Sequence, residues 1–175
     1  MINTIFPENV FTFTPNEQPQ IIQRLNAMPL CLDDKFLDNY QDLDWSKFSA
    51  VSVFYNKQDI IGFSSVWHRP EYYNPLEVRI LNRYYVLPCM RRKSTKQAGF
   101  SYVIEMVNQQ AVIAEKLGYK TIFISREIGP RYFEKFVQSL RENTNYNWHY
   151  NNKKVCVCRP SKPSCWQYKV SASII

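Results

Sequence analysis

Glycine is scarce in this chain, with four glycines against ten prolines in 175 residues. Flexible linkers between domains are rich in glycine and serine, and no such tract or other low-complexity segment occurs here. No internal repeat is recognisable, which excludes the common repeat architectures. Because 175 residues are also an ordinary length for one domain, we expect a single domain over residues 1–175.

Long apolar runs are also missing. No uninterrupted stretch reaches the roughly 18 apolar residues from which a membrane-spanning helix is recognised. The opening MINTIFPENVF has no basic segment followed by an apolar run, as a secretory signal would have. We therefore expect a cytoplasmic protein without a membrane segment.

Cysteine occurs five times, an odd number at irregular positions, which is typical of reduced thiols rather than of a disulfide framework. Four potential zinc ligands fall near the C-terminus: His149, Cys156, Cys158 and Cys165. However, one residue separates Cys156 from Cys158, whereas structural zinc sites usually carry C-x2-4-C pairs. We expect no metal.

Positive charge is what the chain has in excess. Twenty-two Lys and Arg against fifteen Asp and Glu leave a net charge of +7 and an isoelectric point near 9.2. This balance favours an anionic ligand, a nucleic acid or an acidic partner, while a merely solvated basic surface is equally consistent with it.

Four cations stand together in the stretch LPCMRRKSTKQAGFSYVIEMVNQQA, namely Arg91, Arg92, Lys93 and Lys96, where a helix over Thr95–Leu117 is predicted to begin. A helix N-terminus already carries about half a positive charge and free N–H groups. Cations at that end are therefore destabilising unless an anion binds among them. We interpret the cluster as a phosphate-binding site, with a solvated turn or a nucleic-acid contact as the alternatives.

Hydrophobic periodicity predicts the remaining elements. In order they are a strand at Val10–Phe13, a helix through Ile21 and Met28, a short helix at Asp33–Gln41, strands at Ala50–Tyr55, Ile60–His68 and Glu77–Leu87, the helix Thr95–Leu117, a strand at Thr121–Ser125, a helix after Gly129-Pro130, and strand-like segments at Tyr146–Tyr150, Val155–Cys158 and Trp166–Ser171. The strand, helix and strand around the cationic cluster predict a right-handed crossover. The order as a whole predicts an α/β (α+β) fold, with a mixed sheet and helices on both faces.

The segments RILNRYYVLPCMRRKSTKQAGFSYVIEMV and LGYKTIFISREIGPRYFEKF resemble the GNAT superfamily of acyl-CoA N-acyltransferases. The order of elements is similar over most of the chain, and the likeness of individual residues covers about Leu81–Phe136. In that family the fourth strand ends in a V-x-P-like turn, which Val86, Leu87 and Pro88 match. The C-terminal RPSKPSCWQ further resembles GNAT-like proteins of bacteriophages. The resemblance implies a GNAT-like, mostly antiparallel central sheet.

After that turn the family has a loop of the pattern Gln/Arg-x-x-Gly-x-Gly/Ala, which binds the pyrophosphate of CoA. With Arg91 in the first position, Ser94 and Lys96 replace its two small residues, so side-chain charge would substitute for glycine backbone contacts. The resemblance implies acetyl-CoA as a co-substrate, an amine of unknown identity as the acceptor, and these ligand-binding residues: Tyr85, Val86, Leu87, Arg91, Arg92, Lys93, Ser94, Thr95 and Lys96.

The family's general acid is often a tyrosine in a stretch like Leu-Tyr-Glu-Lys, but RYFEKF here has Phe133 in that position, with Tyr132 beside it. The family's general base is a carboxylate, or a water that it holds, on the fourth strand or nearby. Glu77 is the only carboxylate of that strand, while Asn82 is closer to the usual position but cannot act as a base. Tyr132 and Glu77 are therefore the implied catalytic residues, and the imidazole of His68, at the end of the preceding strand, is a further candidate for proton transfer.

Two other functions stay open. A GNAT-like scaffold without transfer chemistry would explain both the missing loop glycines and Phe133, and it would bind a CoA-type ligand or a protein partner. A nucleic-acid-binding protein would explain the net charge and the interleaved aromatic and cationic residues of NRYYVLPCMRRK. We rank the acyltransferase first, the non-catalytic scaffold second and the nucleic-acid binder third.

Overall fold

The computed structural model describes residues 10–28, 44–68, 74–86, 101–126, 129–157 and 160–174. The helix predicted at Asp33–Gln41 and the cationic cluster Arg91–Lys96 lie outside these residues. Within them, the structure has eight strands, three α-helices and three short 3-10 turns.

The strands and helices follow the order predicted from the sequence. The strands are β1 (Val10–Phe13), β2 (Ala50–Asn56), β3 (Asp59–Trp67), β4 (Glu77–Val86), β5 (Thr121–Arg126), β6 (Trp148–His149), β7 (Lys154–Cys156) and β8 (Trp166–Ser173). The helices are α1 (Pro19–Asn26), α2 (Ser101–Lys116) and α3 (Pro130–Asn143).

All eight strands belong to one sheet in the order β1-β2-β3-β4-β5-β8-β6, with β7 pairing to β8 outside that path. The first four strands form an antiparallel meander. Strand β5 then lies parallel to β4, as the crossover through α2 requires, and antiparallel to β8. The predicted mixed, mostly antiparallel sheet is confirmed.

Helices cover both faces of the sheet, also as predicted. On one face, α2 and α3 pack over a core that includes Val78, Ile80, Ile122 and Val170. On the other face, α1 packs with Ile22 and Leu25 over the β1–β3 half, against a second core that is made of the residues Phe13, Trp45, Val51, Val53, Ile60, Phe63 and Tyr85. The β4, β5 and β8 half of this second face carries a polar network, which is described with the site below, and a small apolar cluster of Phe123 with Val155 and Val157.

Glycine closes α2 and opens α3. Gly118 adopts a φ of 94°, which a side-chain-bearing residue rarely adopts, and it ends α2 just before β5. Gly129 has a φ of 76° and precedes Pro130, the first residue of α3. The N-terminus of α3 is thereby fixed only three residues after β5 ends.

Gly62 is required by its neighbour across the sheet. It pairs with Phe54, and a Cβ atom built on it would lie 1.9 Å from Cε1 of that fully buried ring. Gly62→Ala is therefore expected to lower the free energy of unfolding by about 1–3 kcal/mol, because the ring must leave its packed position. Chemical denaturation checks this, with Gly118→Ala as a comparison in which strain but no clash is introduced. A neutral Gly62→Ala would contradict the packing described here.

The described residues bear on three expectations from the sequence, which concern the cysteines, a membrane-spanning helix and metal ligands. Cys165 is disulfide-bonded, so the expectation of reduced thiols is wrong for that residue, whereas Cys156 is a free thiol. No helix among the described residues is both long and apolar enough to cross a bilayer. The same residues contain no group of three His, Cys, Asp or Glu placed to hold a metal ion.

Candidate functional site at the β4–β5 opening

The parallel pairing of β4 with β5 stops early. It joins Glu77 to Thr121, Val78 to Ile122 and Arg79 to Phe123. Both strands continue, since β4 pairs with β3 as far as Val86, and β5 pairs with β8 as far as Arg126. No ladder pair joins β4 to β5 in these continuing, fully described parts. The sheet is therefore open between the carboxyl-terminal halves of two adjacent parallel strands.

The backbone of β4 explains why the pairing stops. Leu81 and Arg83 have φ values of 49° and 52°, in the left-handed region that residues other than glycine rarely occupy. The register between β3 and β4 shifts twice over the same stretch, as it does at β-bulges. A bulged strand bends away from its neighbour, so the bulge separates β4 from β5.

Side chains from α2 and β5 bind the backbone groups of Leu81. Its N–H donates to Oε1 of Gln110 at 2.8 Å, and its carbonyl oxygen accepts from Nη2 of Arg126 at 3.0 Å. Buried backbone groups need such partners, because each one left unsatisfied costs free energy. The bulge is thus held from the helix side and from across the opening.

Asn82, which stands near the usual position of the family's base, faces β3 instead. It is buried, and its Nδ2 donates to Oγ of Ser65 at 3.2 Å. Its backbone carbonyl oxygen accepts from the hydroxyls of Ser64 and Ser65, both at 3.1 Å. These bonds make Asn82 a structural residue of the β3–β4 pair.

A polar network lies on the face of β4, β5 and β8 that α2 and α3 do not cover. Nη2 of Arg79 donates to the carbonyl oxygen of Ser125 and to Oε1 of Gln167, both at 3.3 Å. The Ser125 hydroxyl donates to the same Gln167 oxygen at 2.7 Å, and Nη1 of Arg126 donates to the Ser125 carbonyl at 2.8 Å. Two guanidinium groups therefore meet on one carbonyl beside the opening.

Glu77 lies at the other end of the strand pair. Its carboxylate forms an ion pair with Nζ of Lys169 at 2.7 Å. Val86 lies nine positions further along β4, which is about 30 Å along an extended strand. His68 is close to Glu77, since its Nδ1 is 2.9 Å from the Glu77 carbonyl oxygen. The structure thus places Glu77 and His68 away from the carboxyl ends of β4 and β5.

Tyr132 lies on the first turn of α3, just after β5 ends, and 60% of its surface is exposed. Phe133 is 1% exposed and packs in the core, with its ring centroid 5.3 Å from that of Tyr150 and 6.4 Å from that of Tyr168. Adjacent helical residues point about 100° apart. The residue in the family's tyrosine position is therefore a core residue, and its neighbour is the exposed one.

Sequence reasoning did not single out Tyr150 and Tyr168, which flank Phe133. Tyr168 stands opposite Arg126 in the β5–β8 pair, at the carboxyl end of β5. Burial raises the pKa of Tyr150, and the nearby Glu134 carboxylate and Tyr168 raise it further, so its hydroxyl stays protonated above neutrality. Only the long-range pairing of β8 with β5 reveals this cluster, so no local sequence signal could have found it.

Of the predicted ligand-binding residues, Tyr85 and Val86 form the end of β4. Both side chains are buried, and the Tyr85 ring stacks on Phe63 at 5.2 Å between centroids. Their contribution to a ligand site would therefore come from the backbone. The other predicted ligand residues lie outside the described residues, namely Leu87, Arg91, Arg92, Lys93, Ser94, Thr95 and Lys96.

No protein-family model matches this sequence, and no curated protein matches it. Solved structures do resemble it in fold. An aminoglycoside 6'-acetyltransferase of type Ii matches with a TM-score of 0.53 at 12% identity, over 95% of this chain and 97% of that one.

Two further solved structures match with a TM-score of 0.50. A GNAT-family acetyltransferase from Staphylococcus aureus Mu50 is 8% identical over 95% of this chain and 99% of that one. An acetyltransferase from Salmonella typhimurium, solved with its cofactor acetyl-CoA, is 10% identical over 95% of each chain. The fold of this chain is that of the GNAT acetyltransferases.

Proposed function

We propose that this chain, which has the GNAT acetyltransferase fold, transfers an acetyl group from acetyl-CoA to an amine. The observation that carries the proposal is the opening between β4 and β5, where the parallel pairing ends at Arg79 although both strands continue. An opening at the carboxyl ends of adjacent parallel strands is a common place for a ligand in sheets of this kind. We propose that the thioester arm of acetyl-CoA lies in this opening.

Phosphate binding is assigned to the residues that follow β4. Arg91, Arg92, Lys93 and Lys96 supply positive charge in the segment that precedes α2. An anion beside a helix N-terminus is stabilised by the free N–H groups and the helix dipole, and guanidinium groups bind phosphate through two parallel hydrogen bonds. We propose that these four residues hold the phosphates of CoA while the arm enters the opening.

In the transfer itself, the neutral amine attacks the thioester carbonyl carbon and forms the carbon–nitrogen bond, and the carbon–sulfur bond breaks. The nitrogen loses one proton to a base, and CoA leaves as a thiolate that takes one proton from an acid. We propose Tyr132 as the donor of that proton, since it is exposed on the first turn of α3, the helix that follows β5 in the chain. Glu77 remains the candidate for that base by resemblance alone, because its position at the first residue of β4 and its ion pair with Lys169 favour a structural role.

The test is a transfer assay with acetyl-CoA and a panel of small amines and peptide N-termini. We expect CoA thiol to be released only when enzyme and acceptor are both present, with acetylated amine detected by mass spectrometry in equal amount. Release that does not depend on an acceptor would indicate hydrolysis instead. Absence of transfer to every acceptor, despite acetyl-CoA binding, would contradict the enzymatic proposal.

That last outcome would favour the second candidate, a scaffold that binds a CoA-type ligand or a partner without catalysis. One observation supports it: Phe133, in the family's tyrosine position, is built into the core against Phe136, Tyr150 and Tyr168 and offers no hydroxyl. We rank it second because Tyr132 supplies an exposed hydroxyl one residue away.

A further inference from the structure

Gln110 is a fully buried polar residue in the middle of α2. Its amide oxygen accepts the N–H of Leu81 at 2.8 Å, and its amide nitrogen donates to Oγ of Ser52 at 2.8 Å. Both ends of the side chain are therefore used, one on β4 and one on β2. A buried amide satisfied at both ends is fixed in a single orientation.

The amide nitrogen of Gln110 is connected through Ser52 to the edge strand β1. Ser52 and Thr12 share a hydroxyl–hydroxyl hydrogen bond of 2.6 Å. Thr12 donates to Oε1 of Gln109 at 2.8 Å, and Nε2 of Gln109 donates to the carbonyl oxygen of Val10 at 3.0 Å. These contacts fix α2 against β1 and β2. They are made on the side of Gln110 away from the opening.

The amide oxygen of Gln110 binds β4 at the strained residue Leu81 beside the opening. Leu81 has a φ of 49°, and its ordinary ladder bonding to β5 is lost because the parallel pairing ends two residues earlier. Strained backbone persists only where the surroundings fix it. Gln110 supplies a buried side-chain acceptor for the Leu81 N–H.

We infer that Gln110 is a positioning residue, which holds the Leu81 bulge and so couples the position of α2 to the shape of the β4–β5 opening. The inference rests on the proposed function, in which the opening takes the thioester arm and the segment before α2 takes the phosphates. Phosphates bound before α2 would then be kept at a fixed distance from the reacting thioester, because one side chain of α2 fixes the strand beside it.

The experiment compares Gln110→Met with Gln110→Glu. Methionine keeps the length of the side chain but offers no oxygen to Leu81. Glutamate at a fully buried position is held in its neutral form, which both accepts and donates and so reproduces the two bonds of glutamine. Ser52→Ala is the matched control, because it removes the bond at the other end of Gln110 and leaves the Leu81 contact.

We expect Gln110→Met to lower kcat by about 10–100-fold, the cost of a misplaced reacting group, with the Kd of CoA changed less than about 2-fold. Gln110→Glu should have a kcat near that of the parent. Ser52→Ala should also keep the parent kcat, although this variant should unfold at a lower temperature. Amide hydrogen exchange at Leu81 should be faster in Gln110→Met than in Ser52→Ala.

Parent-like kcat in Gln110→Met, or equal losses in Gln110→Met and Ser52→Ala, would overturn the inference while leaving the proposed function intact. If the parent itself neither binds nor turns over acetyl-CoA, the proposed function is overturned and the inference with it. Unchanged exchange at Leu81 in Gln110→Met would show that the contact does not hold the bulge, whatever the activity.

Discussion

Replacing Arg92 and Lys93 with glutamine is expected to weaken acetyl-CoA binding by about 3–6 kcal/mol, since each lost charge-assisted contact costs roughly 1.5–3 kcal/mol. In dissociation constants this is roughly two to four orders of magnitude. The stability of the ligand-free protein should stay unchanged or rise slightly, because cations near a helix N-terminus oppose the helix dipole. Isothermal titration calorimetry at low salt measures the affinity, and thermal unfolding without ligand measures the stability.

A matched control is available at the other end of α2. Lys116 and Lys120 are both exposed, and Lys116 lies in the last turn of the helix. The double variant Lys116→Gln and Lys120→Gln removes the same charge, so it reports any effect of net charge alone. We expect it to bind acetyl-CoA nearly as the parent does, and to be slightly less stable. Equal affinities for the two double variants, at any salt concentration, would refute the phosphate assignment.

Tyr132→Phe is expected to lower kcat by about 10²–10⁴-fold, the usual contribution of a positioned general acid. Because the hydroxyl acts on the leaving thiolate and Tyr132 is exposed, the Kd of CoA and the melting temperature should hardly change. Steady-state kinetics with the best acceptor measures kcat, and calorimetry with CoA measures the affinity.

Tyr150→Phe is the control for Tyr132→Phe, because the Tyr150 hydroxyl already donates to Oδ1 of Asn152 at 3.0 Å. It should leave kcat near the parent value. If Tyr132→Phe is fully active while Tyr168→Phe is not, the proton donor is the tyrosine opposite Arg126 in the β5–β8 pair, and our assignment is wrong. Full activity in all three variants would exclude Tyr132, Tyr150 and Tyr168 as the proton donor.

Local hydrophobic periodicity was enough to predict the strands and helices, because the apolar faces that it indicates are the faces that pack in the core. Val78, Ile80, Tyr84 and Val86 stand at even spacing in β4; Val78, Ile80 and Val86 are buried in the core under α2, and Tyr84 packs against it. Leu81 joins them in that core, which strict alternation forbids. The bulge behind this exception depends on partners about 30 to 45 residues away, so the strand pattern could not contain it.

One residue beside the site, Gln110, could have been inferred from the helical spacing in the sequence. Gln110 falls between the apolar positions Val107 and Ala111, on the part of α2 that faces the sheet. A polar residue there needs a buried hydrogen-bonding partner, but the spacing cannot say which one. The partner, Leu81, is defined only once β4 has bent.

The polar network on β4, β5 and β8 was harder to predict from the sequence. Arg79 lies on the face that α2 and α3 do not cover, where it donates to Ser125 and Gln167. Those residues come together because β8 returns beside β5 after α3. Contacts of such long sequence separation leave no periodic trace in any one segment.

The melting temperature of the parent chain with acetyl-CoA tests the central claim most directly. A ligand at a hundred times its dissociation constant adds about 2.7 kcal/mol to stability, which for a chain of this size corresponds to a rise of roughly 5–10 °C. We predict such a rise with acetyl-CoA at millimolar concentration, and a much smaller one with a single-stranded oligonucleotide at the same salt. No rise with acetyl-CoA, together with a clear rise with the oligonucleotide, would contradict the acetyltransferase proposal and favour a nucleic-acid-binding protein on this fold.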